Sequence, residues 1–524
     1  MRKLSLIATG ISMAIAGSAN AALTVNANMF MSGASAPTNM LREHVVQNVC
    51  SQAAPINVYV DVVRTVPGGG NTALAEPILE HTTHWVVSCT AAAGTGTNLA
   101  GKTIAVYKSD VGGSGNGATP IPNEVPLQFM NADNTNCALT TANQAHGNGG
   151  TYNLYTCGTD DLVNQVPDMG TSDIEPTKFV GSLAPSSGDF VDLGNLSVKA
   201  GPGLVFGIAI TKAFRDELQA DQGLTVGSEL EANMPSLPQA YVSSITQGRV
   251  WKWADEEVYG GVPNTPAAFA GTDGIVGTAD DVASSSLTQY VNICRRVQGS
   301  GTHAQHMIEY HRTNCASGTI FMPPGRANPT GNLPIVWEGS SSGTLATCLD
   351  RLDKGIGYSS TIPAMPAGRA SFGLGYQATE KNMGLTENWR YVKIDGKAPT
   401  LQNAFSGDYD QVYYLSFQLR TADAPSSTGT ATAGNGTVYE TGAIRTAAAD
   451  AGAIADFFNN NLNITGNIVA SVNQSFVHQW GQGGYLQPST SAPAVFALNN
   501  PLTPWARETA LAAPDSCQPL TRKR

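Results

Sequence analysis

Arg295-Arg296-Val297-Gln298-Gly299-Ser300-Gly301-Thr302 stands directly before a stretch with helical periodicity. Glycines let backbone N–H groups approach a ligand closely, and the unpaired amides and dipole at a helix start favour negative charge. With a guanidinium and two hydroxyls in the same octapeptide, the segment reads as an anion cradle. Ala304, Met307 and Ile308 fall on one helical face, with His303, Gln305 and Glu309 elsewhere. A Gly-Ser-Gly-Thr tetrapeptide alone also fits a plain glycine turn with a Ser or Thr helix cap. The rest of the chain decides between the two.

At the N-terminus, Arg2 and Lys3 precede a mostly apolar run over residues 4–16 and the small-residue site Ala19-Asn20-Ala21. This is the layout of a cleaved secretory signal over residues 1–21, so a mature chain beginning at Ala22 is expected in the periplasm or outside the cell. No cysteine sits there to carry a lipid, and no later stretch approaches the roughly 20 apolar residues of a membrane-spanning helix. All eight cysteines, Cys50, Cys89, Cys137, Cys157, Cys294, Cys315, Cys348 and Cys517, lie after the signal, without a C-x-x-C spacing. An even set in an exported chain points to disulfides rather than metal. Sequence leaves the pairing open; the simplest neighbours are Cys137–Cys157 and Cys294–Cys315, then Cys50–Cys89 and Cys348–Cys517. The formal net charge is −11, and removal of Arg2 and Lys3 takes it to −13. That balance argues against general binding to nucleic acid or an anionic membrane.

The mature length suits two lobes with insertions. Residues 30–49 read as strand end, small-residue loop and helix, and 103–108 as a buried strand running into a glycine-rich turn. Residues 118–166 read as an inserted loop, and 168–176 as a short strand ending in a polar turn. Further on come a strand at 204–211, a helix from 212, a turn at 339–344 with a helical face behind it, and a strand at 356–359. Then follow a strand at 412–417, a helix at 453–462 and a Pro-rich tail. Strands alternating with helices, each strand ending in a small-residue loop, indicate an α/β protein whose ligands sit beyond the carboxyl ends of the strands.

In this order the segments resemble the phosphate-binding proteins of ABC transporters, within the type 2 periplasmic binding protein superfamily. Ser32-Gly33-Ala34-Ser35-Ala36-Pro37 resembles the family's N-terminal Gly-Ala-Gly-Ala-Thr-Phe-Pro loop, and Asp168-Met169-Gly170-Thr171-Ser172-Asp173 its Asp-Phe-Gly-Ala-Ser-Asp. Residues 247–257 look like its Gly-Lys-Ile-x-x-Trp-Asp-Asp segment. The opening octapeptide looks like its Arg-Arg-x-Asp-Gly-Ser-Gly-Thr, and Gly355-Ile356-Gly357-Tyr358 like its Ala-Ile-Gly-Tyr strand. The resemblance implies a two-lobe clamp with large loop insertions, residues 22–200 plus 366–524 in lobe I and 201–365 in lobe II. It would close on a small oxyanion, phosphate first, and hand it to a membrane permease. By position, Arg296 would pair with the anion, Ser300, Gly301 and Thr302 would donate to it, and Asp173 would accept its proton. Ala36 and Pro37, or Pro37 and Thr38 with a one-residue shift, occupy the first donor loop, and Gly113 or Ser114 the second. Gln298 stands where the family has a second carboxylate; its amide can donate or accept, which leaves phosphate against sulfate open.

Other constellations have plainer readings beside their sharper ones. Gly339-Ser340-Ser341-Ser342-Gly343 satisfies G-x-S-x-G, yet no acid or histidine completes a triad, and Ser342 fits a helix N-cap. His303, His306 and His311 share one helix without a completing carboxylate or cysteine. Residues 271–281 cluster three aspartates among glycines, a solvated acidic turn that also suits Ca2+. Trp251 and Trp253 read as packing. The expectation is a binding protein that performs no reaction. The alternative is a secreted or surface-associated relative that reuses the scaffold for adhesion or partner binding, favoured by the insertions at 118–166, 262–288 and 312–335.

Overall fold

The computed structural model describes residues 23, 25–61, 83–94, 99–133, 136–146, 150–158, 161–184, 196–253, 268–285, 289–315, 322–329, 331–381, 387–420, 430–432, 438–440, 466–473, 477–478, 480–508 and 514–523. The expected signal segment at 1–21 and the helix expected at 453–462 lie outside the described residues.

A long mixed sheet organises the chain. Its strands are β1 Ala27–Gly33, β2 Asn57–Asp61, β3 His84–Thr90, β4 Thr103–Ser109, β5 Cys137–Ala145, β6 Thr151–Cys157, β7 Met169–Ser172, β8 Leu196–Thr211, β9 Asn292–Arg296, β10 Ile335–Gly339, β11 Thr361–Ile362, β12 Gly373–Ala378 and β13 Val412–Arg420. Their spatial order is β11-β10-β9-β12-β8-β13-β7-β1-β4-β3-β2-β6-β5. A further strand, β14 Tyr485–Pro488, pairs with β8 through Gly203 and Leu204.

β8 is the bridge. Its first half pairs antiparallel with β13, from Leu196↔Arg420 to Val205↔Val412, and its second half with β12, from Phe206↔Ala378 to Ile210↔Leu374. Strands β13, β7, β1 and β4 and those beyond them lie on one side, and β12, β9, β10 and β11 on the other. This is a two-lobe α/β arrangement. Leu204-Val205-Phe206-Gly207-Ile208-Ala209-Ile210 is buried throughout, which explains an apolar run without alternation: both faces of the strand are covered. β12 hydrogen-bonds to β8 and lies beside β9, so the second group of strands runs past residue 365.

Helix α1, Thr38–His44, follows β1, and α2, Lys212–Asp221, follows β8. Helix α3 is Gln239–Thr246. Helix α4, Gly301–His311, follows β9 and is buried along its whole length. Helix α5, Ser342–Lys354, follows β10 and lays Leu345, Cys348, Leu349 and Leu352 into the second core.

Four sequence expectations are corrected. Residues 118–166 are not a loop: β5 and β6 form an antiparallel hairpin that extends the sheet edge, and Leu127–Met130 pairs with Leu162–Gln165. The strand expected at 356–359 lies instead at Gly373–Ala378, where Gly-Leu-Gly-Tyr repeats the same pattern. A Cβ on Gly373 would sit 2.4 Å from Leu352 Cδ2, and one on Gly375 2.6 Å from the Cys294 carbonyl, so glycine is required there by helix and strand alike. Residues Gly355 to Tyr358 form the left-handed end of α5 and a single bridge to Met365.

The third correction concerns pairing. Cys50–Cys89 and Cys137–Cys157 form, but the other two disulfides are Cys294–Cys348 and Cys315–Cys517. Cys294 lies in β9 under α5, whereas Cys315 lies beyond the far end of α4, a helix roughly 16 Å long at 1.5 Å per residue. Neighbours in sequence are therefore separated in space. The fourth is that Ser341, not Ser342, caps α5, accepting from the Thr344 amide at 3.0 Å.

Candidate functional site

The loops after β1, β4 and β7 meet the loop after β9 and the start of α4. β1 is parallel to both β4 and β7, so their carboxyl ends converge on one edge. Close glycine packing fixes them. A Cβ on Gly170 would lie 1.7 Å from the Gly117 carbonyl oxygen, and one on Gly33 2.0 Å from that of Thr171. These backbones touch only because no side chain intervenes.

Ser114, Asp173, Arg296, Ser300 and Gly301 come together here. The Asp173 amide donates to Ser114 Oγ at 3.1 Å. A Cβ on Gly301 would lie 2.2 Å from Ser114 Oγ and 2.9 Å from Asp173 Oδ2; one on Gly113 would lie 3.6 Å from Arg296 Nη2 and 3.4 Å from Ser300 Cα. At this cluster the Gly115 amide donates to the Gly299 carbonyl at 2.8 Å, and Gln305 Nε2 to the Asp173 carbonyl at 2.5 Å, so hydrogen bonds join the lobes directly.

Ser300 occupies the N-cap position of α4, but its hydroxyl makes no capping bond. Ser300 Oγ, Thr302 Oγ1 and Asp173 Oδ1 are all buried without a hydrogen-bond partner among the described residues. Arg296 is also buried. Its guanidinium donates to the carbonyls of Gly339 at 3.3 Å and Ser340 at 2.8 Å, and to Ser342 Oγ at 3.1 Å, all neutral acceptors. Burial lowers its pKa to about 10 against the attraction of Asp173 and Asp110, so it stays charged at neutral pH. Burial raises Asp173 to about 6, opposed by Arg296, Ser114 and Lys108.

No protein-family model and no curated protein sequence matches the chain. Among solved structures, the chain is similar to a phosphate ABC transporter substrate-binding protein with bound phosphate from Clostridium perfringens, at 11% identity and TM-score 0.28, covering 59% of this chain and 78% of that one. An ABC-type phosphate transport receptor from Vibrio cholerae gives 12% identity and TM-score 0.25, covering 49% and 69%. PstS from Borrelia burgdorferi gives 10% identity and TM-score 0.23, covering 52% and 76%. At this distance the chemistry of the site stands on the residues of this chain.

Three further expected members of the site have these surroundings. Gln298 is exposed on the turn between β9 and α4, outside the buried cluster, because the chain reverses there before entering the helix. Ala36 is buried, and its carbonyl accepts from the Tyr485 hydroxyl at 2.7 Å. Pro37 stands at the start of α1, where its carbonyl takes the Leu41 amide at 2.9 Å. Thr38, the shifted alternative, donates to Asp110 Oδ2 at 2.6 Å.

Sequence reading passed over several groups around the cluster. Lys108, fully buried at the end of β4, pairs with Asp110 and donates to the carbonyls of Gly33 at 3.2 Å, Ala34 at 3.1 Å and Ser109 at 3.3 Å. Burial lowers its pKa, while Asp110 and Asp173 oppose that shift. Glu380 is pushed up to about 8 by burial, and its Oε2 lies 2.8 Å from the Tyr485 hydroxyl. Only a lysine closing an apolar strand gave a sequence signal for these; Glu380 and Tyr485 gave none.

The remaining constellations have structural partners. His306 packs against Tyr310 and Tyr376, and His311 Nε2 lies 2.8 Å from Thr246 Oγ1. Burial holds His303 and His306 well below their ordinary pKa. Among the described residues no group of three or more His, Cys, Asp or Glu is placed to hold a metal ion. In the acidic turn, the carboxylate of Asp280 takes the amides of Thr272 at 2.7 Å and Asp273 at 3.0 Å, and that of Asp281 the amide of Gly277 at 2.7 Å. Trp253 is buried against Phe214 and Phe372.

Proposed function

We propose that this chain is an exported binding protein that captures a small oxyanion, phosphate first, between its two lobes and performs no reaction on it. The observation that carries this reading is the buried, charged Arg296, whose hydrogen bonds among the described residues go to neutral acceptors, beside two hydroxyls without a hydrogen-bond partner among those residues. A buried cation and buried donors are stabilised by an anion that accepts from all of them. Asp173 supplies the complement. With its pKa near 6 it is mostly ionised at neutral pH and accepts a hydrogen bond from a protonated oxyanion. One jaw is the loops of Ala36, Ser114 and Asp173; the other is Arg296 and the start of α4. A membrane permease would be the partner receiving the anion.

Equilibrium dialysis with labelled phosphate on the chain beginning at Ala22 tests this. Saturable binding is expected, with Arg296→Ala weakening it by about 100-fold, the loss of one charge-assisted, geometrically fixed contact worth about 3 kcal/mol. Absence of saturable binding of both phosphate and sulfate would sink the reading.

A further inference from the structure

The C-terminal tail touches both jaws. Cys517 is bonded to Cys315, which follows the helix that begins at the Ser300 cradle, across a sequence separation of 202. The neighbouring Ser516 holds the opposite jaw. Its amide donates to Glu175 Oε1 at 2.8 Å and its hydroxyl to Oε2 at 2.6 Å, two residues beyond Asp173. Asp515 pairs with Lys178 at 2.9 Å on the same turn. Asn314, beside Cys315, completes the knot by donating to the carbonyls of Lys178 at 3.0 Å and Val180 at 3.1 Å. Upstream in the tail, Arg507 lies 3.6 Å from Glu309 of α4 and donates to the carbonyls of Val412 at 3.1 Å and Asp410 at 2.6 Å. Tyr485 holds the Ala36 carbonyl of the first jaw.

We propose that residues 515–517 are a strap, fixed covalently to the second jaw at Cys315 and buckled non-covalently to the first at Glu175 and Lys178, which restrains opening of the cleft and slows ligand exchange. The ligand part rests on the oxyanion reading above; the restraint on opening does not. Separating the jaws moves Asp173 away from α4. Cys517 must follow Cys315, so Ser516 and Asp515 must leave Glu175 and Lys178. Both sides of that contact are largely buried, so release exposes a carboxylate and an ammonium that are paired in the closed state.

The test uses the full mature chain and two variants, Cys315→Ser with Cys517→Ser, and Lys178→Ala with Ser516→Ala. The first removes the covalent anchor and leaves three disulfides; the second strips the buckle of its Lys178 ion pair and Ser516 hydroxyl bond, leaves the Ser516 amide on Glu175, and keeps all four disulfides. Hydrogen exchange at the Gly115 amide, whose bond to Gly299 crosses the cleft, reads opening without any ligand. Both variants are expected to exchange about ten-fold faster there, and labelled phosphate to leave them faster by a similar factor. Unchanged Gly115 exchange in a cooperatively melting variant would overturn the strap. Should the disulfide variant fail to fold, the buckle variant decides alone. If no protein binds phosphate, the oxyanion reading falls while Gly115 exchange still judges the strap.

Discussion

Lys108→Met is expected to destabilise the protein by about 3–5 kcal/mol, the usual loss when one partner of a buried ion pair is removed. Methionine keeps the length and most of the volume of the side chain, so the loss reports charge and donors rather than a cavity. Lys108 has no exposed side-chain surface, and beyond Asp110 its ammonium serves the carbonyls of Gly33, Ala34 and Ser109. Without it, Asp110 keeps the Thr38 hydroxyl at 2.6 Å but loses its cationic partner, which leaves a buried carboxylate unpaired. Urea unfolding measures the loss. Adding Asp110→Asn should recover part of it, with a coupling of about 0.5–3 kcal/mol between neighbours. A single-variant loss below about 1 kcal/mol would match an exposed pair and contradict the buried one described. Because the same ammonium gathers the loop between β1 and α1, anion binding should weaken in the variant as well.

What was legible in the sequence was what is local. The cradle at residues 295–302 is one contiguous strand-turn-helix, so its glycines and hydroxyls announced the start of α4. Asp173 directly follows a four-residue strand and Ser114 sits in a glycine turn; both could be placed by order along the chain. Gln298 failed because position in a motif does not say which way a turn residue points. The hairpin of β5 and β6 was missed because most of β5 is exposed, so its strand shows no apolar alternation. Two Gly-x-Gly-Tyr stretches read alike, and only the helix and strand packed over Gly373 and Gly375 distinguish them. The groups around the cluster were out of reach for another reason: Tyr485 meets Ala36 across 449 residues and Glu380 across 105. No periodicity carries such pairs, and the same holds for Cys315 and Cys517.

Glu380→Gln is expected to remove a pH dependence of stability worth about 3–5 kcal/mol between pH 5 and pH 9. The Tyr485 hydroxyl has one hydrogen and two oxygens waiting for it, Ala36 O at 2.7 Å and Glu380 Oε2 at 2.8 Å. Both contacts are satisfied when Glu380 is protonated and donates to Tyr485, which then donates to Ala36. Burial raises the Glu380 pKa from its ordinary 4.5 to about 8, helped by Asp173 and Asp110 and opposed by Lys381 and the Tyr485 bond. The folded state thus holds this proton more tightly than the unfolded chain. Its contribution to stability is fully present below pH 4.5 and is lost as pH rises through 8. A glutamine amide donates at every pH, so the variant keeps the chain of hydrogen bonds that the wild type loses in alkali. Asp173, near 6, and Asp353, near 7, are raised by burial in both proteins and act with the same sign, so the difference between the two curves belongs to Glu380. Denaturant unfolding across that range should show the variant overtaking the wild type at high pH. Parallel curves would mean that Glu380 is ionised in the folded protein and that the order of donors along Glu380, Tyr485 and Ala36 runs the other way.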